Sequence, residues 1–245
     1  MKRFGLIGYP LTHSFSKKYF TEKFKREEIE DCIYELYQLE NIDDVRLLFE
    51  VNKDLCGLNV TIPYKETIIH YLENLDDTAQ KIGAVNCIHI NEIEKTGFNT
   101  DCLGFRDAIK PLLQPHHKKA LVLGTGGSSK AVVYALHELD IEHVCVSRTK
   151  SHSNFSYSDI DKTILEEYPI IINTSPVGMY PNLHVSPDIP YEYLTPSHLC
   201  FDLIYNPEET LFLQKAKHQG AQVKNGLEML ELQAEYAWKI WNQKS

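Results

Sequence analysis

Short apolar runs alternating with amphipathic stretches from end to end, a reset of that rhythm after Asp101, and a glycine-rich strand-to-helix turn at Gly124 predict a two-lobed α/β protein. The second lobe reads as a doubly wound, Rossmann-like domain, with a cleft between it and the first. The 245 residues, 43% apolar and 24% charged, can bury one large core or two smaller ones. With 34 acids against 25 bases the net charge is −9, which argues against a broad field for nucleic acid or anionic lipid. Positive potential toward an anionic ligand must therefore be local.

In the first lobe, Phe4 to Ile7 reads as a strand, and residues 16 to 27 carry Tyr19, Phe20 and Phe24 at helical spacing, with Ser16 as an N-cap candidate. Residues 33 to 36 give a second strand and 41 to 51 a helix. Residues 55 to 62 give a third strand ending at Pro63, and 67 to 75 a second helix. Residues 83 to 90 and 97 to 101 are extended. The second lobe runs as a helix (103 to 113), strand (120 to 123), helix (129 to 139), strand (143 to 146), serine-rich loop (151 to 158) and strand (170 to 173). A proline-rich loop (176 to 196), a strand (199 to 204) and two helices separated near 222 to 226 complete it.

The strand Ala120 to Leu123 flows into Gly124-Thr125-Gly126-Gly127-Ser128-Ser129-Lys130-Ala131 and then a helix. Glycines there let the backbone approach a pyrophosphate, whose charge meets the helix N-terminus. Nucleotide binding is the expected use. After the next strand, the place where an NAD site carries an acid for the ribose hydroxyl reads Ser147-Arg148-Thr149-Lys150. A guanidinium, a hydroxyl and an ammonium there favour the 2′-phosphate of NADP(H).

Asn59 and Thr61 share one face of a strand by its two-residue period, and Lys65 follows the proline turn. Asn86 and Asp101 stand at strand ends, where open α/β sheets place ligands. A lysine beside an aspartate suits carbonyl reduction, because an ammonium can give a proton to the forming alkoxide while a carboxylate orients it. Ser14 and Ser16 put two hydroxyls on one side of an extended turn before a helix, a way to hold a small carboxylate.

These pieces together resemble the shikimate dehydrogenase family across essentially the whole chain. The resemblance rests on Gly8-Tyr-Pro-Leu with Ser14 and Ser16, Asn59-Val-Thr-Ile-Pro-Tyr-Lys65, Gly83-Ala-Val-Asn86, Asn99-Thr-Asp101 and the glycine turn. It continues through Ser147-Arg-Thr149, Asn173-Thr-Ser-Pro-Val-Gly-Met179, Asp202-Leu-Ile-Tyr-Asn-Pro207, and Asn225-Gly-Leu-Glu-Met229 with Gln233. It implies NADPH-dependent, reversible reduction of 3-dehydroshikimate to shikimate in aromatic amino acid (chorismate) biosynthesis. By resemblance, Ser14 and Ser16 bind the substrate carboxylate, and Asn59, Thr61, Asn86, Asp101 and Gln233 hold ring hydroxyls and the reacting oxygen. Lys65 is the acid/base residue paired with Asp101, Tyr205 borders the substrate, and Asp77 lies near the cofactor. Gly124, Gly126, Gly127, Ser128, Ser129 and Lys130 cradle the diphosphate. Ser147, Arg148 and Thr149 lie at the adenosine phosphate, and Leu203, Gly226 and Met229 line the nicotinamide.

The implied division is a substrate-binding catalytic domain of residues 1–101 with 226–245, and an NADP-binding domain of residues 102–225. Ser147 replaces the family's frequent asparagine, Ser128 its frequent alanine, and residues 150 to 170 form a short stretch without a full helix. Alternatives are a quinate/shikimate dehydrogenase or a paralogue acting on a related hydroxylated cyclohexane carboxylate. A non-catalytic sensor of the same ligands is disfavoured by the intact Lys65 and Asp101. No apolar run reaches the roughly 18 to 20 residues of a membrane span, and the first residues do not read as a signal peptide. Six scattered cysteines without metal spacing read as free buried thiols in a reducing compartment. The expectation is a cytoplasmic monomer or homodimer acting on small molecules, with no metal, nucleic-acid or membrane partner.

Overall fold

Two six-stranded sheets organise the chain, each built from the short apolar runs of one half of the sequence. The structure is a computed structural model describing residues 1–11, 14–148 and 154–243. Contacts divide it into one unit of Met1–Thr100 with Gln233–Ser245 and a second of Asp101–Leu232. Residues 226 to 232, expected with the first lobe, count with the second unit in this division.

The first unit carries strands Lys2–Gly8 (β1), Cys32–Gln38 (β2), Leu55–Val60 (β3), Asn74–Leu75 (β4), Cys87–Ile90 (β5) and Lys95–Phe98 (β6). Its helices are Phe15–Arg26 (α1), Val45–Val51 (α2) and Asp77–Ile82 (α3). The sheet order is β2-β1-β3-β5-β6-β4. β1 is parallel to β2 and β3, whereas β5 is antiparallel to β3 and β6. Alternation along the strands sends Ile7, Leu58 and Val60 into one core with Val45, Leu48 and Ile68. It sends Phe4 and Tyr34 into another with Phe20, Phe24, Ala234, Ala237 and Trp241. These last three belong to the long C-terminal helix Leu227–Trp241 (α8). A Cβ at Gly57 would lie 2.3 Å from the Trp241 ring, so only glycine lets the indole seat there. The buried Lys23 ammonium joins α1 to α8 by contacts with Glu27 at 2.8 Å and Glu235 at 2.9 Å. A buried charge paired and hydrogen-bonded in this way is costly to leave single.

Several local expectations shift. The N-cap of α1 is Ser14, whose Oγ accepts from the Lys17 amide at 3.2 Å, rather than Ser16, which lies inside the helix. Residues 67 to 75 split into a 3₁₀ turn over Thr67–Tyr71 and the short β4. Thr67, Ile68 and Ile69 are β-branched and lose rotamer freedom in a helix, which weakens the expected one. The sequence pattern does not predict α3. Asp76 caps it by accepting from Thr78 and Ala79 amides, and Gly83 ends it at φ +69°.

The second unit begins with helix Asp101–Ile109 (α4) and strand Lys119–Leu123 (β7). It continues with Gly127–Glu138 (α5), Glu142–Ser147 (β8), Asn154–Ser156 (β9), Lys162–Glu167 (α6) and Ile170–Asn173 (β10). Leu199–Asp202 (β11), Leu211–His218 (α7) and Gln222–Lys224 (β12) follow. All described pairs in the order β12-β11-β10-β7-β8-β9 are parallel. This is the doubly wound arrangement, with its reversal of strand order between β7 and β10. Leu121 to Leu123 and Ile170 to Ile172 are wholly buried, as strands covered on both faces must be. The segment expected to lack a full helix holds the six-residue α6, capped by Asp161. All six cysteines are free, but Cys32, Cys56 and Cys145 are only partly buried. Among the described residues, no helix is long and apolar enough to cross a membrane.

Candidate active-site residues

In the first unit, four separate segments deliver amides and hydroxyls to one place. Asn59 lies near the end of β3, Asn86 precedes β5, Thr100 follows β6, and Gln233 comes from α8. Asn86 Nδ2 donates to Thr100 Oγ1 at 3.0 Å and to Gln233 Oε1 at 3.2 Å, while the Thr100 amide donates to Asn86 Oδ1 at 2.6 Å. Asn59 Nδ2 faces the Asn86 carbonyl at 3.4 Å, and its Oδ1 accepts from the Tyr34 hydroxyl at 2.8 Å. All five side chains are buried. Polar groups assembled at this cost and paired with one another form a rigid lattice suited to recognising hydroxyls.

Around that lattice, Ser16 is buried on α1, and Thr61 lies just past β3 with its amide bonded to Ile7 O at 3.0 Å. Lys65 is half-buried in the turn that follows, and its backbone carbonyl accepts from the Val85 amide at 2.7 Å. Asp77 is exposed at the start of α3. Asp101 opens α4 and is buried, and so falls in the second unit while Lys65 falls in the first.

In the second unit the glycine turn sits at the strand-order reversal. Gly124 has φ +125°, and a Cβ there would lie 2.6 Å from Thr174 Oγ1. Thr174 Oγ1 donates to Leu123 O at 2.9 Å, and Ser129 Oγ donates to Gly124 O at 2.9 Å, so both hydroxyls brace the turn from within. Gly126 is the N-cap of α5 with no side-chain cap, and a Cβ built on it meets nothing within 4 Å. A helix start without a side-chain cap, with space beside it, suits a phosphate. Ser128 and Lys130 follow on the first turn, half-buried. Ser147 ends β8 and Arg148 is exposed beside it, whereas Thr149 and Lys150 lie outside the described residues. At the ends of β11 and α8, a Cβ at Gly226 would lie 2.1 Å from Leu203 O, which accounts for the glycine. Met229 is buried one turn on, and Tyr205 is half-buried with its phenol pushed up by burial.

The loops after β10 and β11 are tied by a wholly buried pair. Asn173 Nδ2 donates to Asp202 Oδ1 at 3.1 Å, and Asp202 also accepts from the Ile204 amide at 3.0 Å and Thr210 Oγ1 at 2.6 Å. Burial pushes the Asp202 carboxyl up to about 6, against the pull of those hydrogen bonds. Because the folded value lies above the unfolded one, the contribution to stability is full below about pH 4 and is lost as pH rises through about 6. Asp202→Asn should therefore gain on the wild type by about 2 kcal/mol between pH 4 and pH 7.5. Urea unfolding at both pH values measures this, and a difference that does not change with pH would count against it.

Comparison with known proteins decides the family. Residues 6–88 match the model of the shikimate dehydrogenase substrate binding domain. Shikimate dehydrogenase (NADP(+)) of Methanosphaera stadtmanae is 35% identical, the alignment covering 98% of this chain and 91% of that one. The chain belongs to the shikimate dehydrogenase family. A crystal structure of shikimate dehydrogenase in complex with NADP+ superimposes with TM-score 0.87 at 34% identity, covering 99% of this chain and 90% of that one. The Thermus thermophilus shikimate 5-dehydrogenase, in complex with NADP(H) and shikimate, gives TM-score 0.88 at 32% identity, covering 99% and 94%. For a shikimate dehydrogenase family member, the two-unit α/β architecture with a Rossmann-like second unit is the family fold. Sequence reasoning misses Tyr34, Thr100 and Thr174. The Asn99-Thr-Asp101 motif contains the signal for Thr100, but only the fold shows that it holds Asn86.

Proposed function

We propose that this chain is an NADP-dependent shikimate dehydrogenase, an oxidoreductase that reversibly reduces 3-dehydroshikimate to shikimate. The observation that carries the reading is the buried lattice of Asn59, Asn86, Thr100 and Gln233, drawn from four segments of a chain in this family. A site built to hydrogen-bond hydroxyls discriminates strongly against ligands lacking them. Asn59, Thr61, Asn86 and Gln233 orient the ring, Ser14 and Ser16 take the carboxylate, and Tyr205 borders the substrate. Lys65 donates the proton to the carbonyl oxygen as it becomes an alkoxide, with Asp101 as the carboxylate that orients the ammonium.

The second unit's glycine turn fits a dinucleotide, because α5 starts without a side-chain cap, Gly126 leaves space beside it and Gly124 adopts a conformation side chains rarely tolerate. Gly124, Gly126, Gly127, Ser128 and Lys130 would hold the diphosphate, with Ser129 bracing the turn. Ser147, Arg148 and Thr149 would hold the 2′-phosphate, and Leu203, Gly226 and Met229 the nicotinamide, with Asp77 nearby. When bound, NADPH supplies the hydride. Free cysteines and net charge −9 support a cytoplasmic enzyme, monomeric or homodimeric, without nucleic-acid or membrane partners.

Absorbance at the nicotinamide band tests the reading, with shikimate or quinate against NADP or NAD. Shikimate with NADP is expected to give the highest kcat/KM, and faster turnover of quinate would overturn the substrate assignment. Arg148→Ala is expected to raise KM for NADP about 10- to 100-fold, as loss of a charge-assisted phosphate contact should, with KM for NAD unchanged. Equal effects on both cofactors would remove Arg148 from the phosphate site.

A further inference from the structure

The direction of each hydrogen bond from Asn86 back to Tyr34 can be assigned. The Asn86 carbonyl can only accept, so Asn59 turns its NH₂ toward it, at 3.4 Å. The Asn59 oxygen therefore faces Tyr34, and since it too only accepts, the phenolic proton belongs to that bond, at 2.8 Å. The ring is held by stacking on Phe20, with centroids 4.6 Å apart and planes 13° from parallel. Register places Tyr34 opposite Phe4 of β1, and Asn59 opposite Leu6, so the phenol reaches from β2 across the intervening β1. It is wholly within the core, where burial keeps it a neutral phenol.

We propose that Tyr34 is a positioning residue for substrate recognition, acting through Asn59. Its phenol holds the Asn59 amide oxygen and so fixes which way the amide faces, with one N–H of the NH₂ remaining beyond the bond to Asn86 as a donor for the ligand. The consequence follows from proton count and not from any contact between Tyr34 and substrate. The inference rests on the shikimate dehydrogenase reading, which gives Asn59 its partner.

Tyr34→Phe keeps the ring and its stacking but removes the partner of the Asn59 oxygen. KM for shikimate is expected to rise about tenfold, within the range for one lost buried hydrogen bond, with kcat within about threefold of wild type. KM for NADP should not move. A purely structural role would alter both KM values or neither, and either pattern would overturn the proposal. Should that variant fail to fold, 3-fluorotyrosine at position 34 keeps shape and hydroxyl while strengthening the donor. It is expected to change KM for shikimate at least about twofold and leave KM for NADP alone, and no change would be decisive against the role. Wild-type activity separates the two claims. Preference for quinate would overturn the substrate reading and move the Tyr34 comparison to quinate, and inactivity on both would overturn both.

Discussion

Lys65→Met is expected to lower kcat about 10²- to 10⁴-fold, the usual worth of a positioned general acid, while KM for shikimate changes less than about threefold. The Lys65 backbone carbonyl accepts from the Val85 amide at 2.7 Å whatever the side chain, so this support of the turn survives the substitution. Methionine keeps an unbranched stem that can fill the half-buried space. Unchanged circular dichroism with lost turnover is the expected pair of results. Near-native kcat would remove Lys65 from the chemistry and leave the reductase without its assigned proton donor.

Gly126→Ala is expected to raise KM for NADP at least about tenfold while leaving unliganded stability within about 1 kcal/mol of wild type. The added methyl meets nothing within 4 Å, and φ of −85° suits any residue, so the fold has no reason to demand glycine. Gly124 and Gly226 are different, because a Cβ at Gly124 meets the Thr174 hydroxyl at 2.6 Å and one at Gly226 meets backbone at 2.1 Å. The space beside Gly126 is in keeping with the proposed close approach of a diphosphate. A variant with unchanged KM for NADP and unchanged melting temperature would show that the open space at 126 is not used.

What can be read from the sequence is what depends on neighbours along the chain. The strand Ile170–Asn173 is expected at the bounds observed, because an unbroken apolar run covered on both faces leaves little choice. The glycine turn is legible for the same reason, as strand, turn and helix are contiguous. The three-residue β12 escapes notice because Gln222–Lys224 is too short to show alternation and gains its pairing from β11. α3 escapes because Ala79 and Ile82 are its only buried residues, too few for a stripe. At the site, the residue types are visible but their partners are not. Tyr34 reads as an ordinary strand aromatic until register brings it to Asn59, and Thr100 reads as the middle of a turn until Asn86 and Gln233 close on it.

The seating of Trp241 against Gly57, with its indole N–H bonded to the Ile88 carbonyl across 153 positions of sequence, bears on how the polypeptide matures. During synthesis, the front hundred residues emerge long before the segment that plugs their aromatic core and supplies Gln233. Phe4, Phe20 and Phe24 must wait, uncovered on that side, while the intervening unit is made. Completion of that core and of the amide lattice around Asn86 therefore arrive together, with the helix that carries both Gln233 and Trp241.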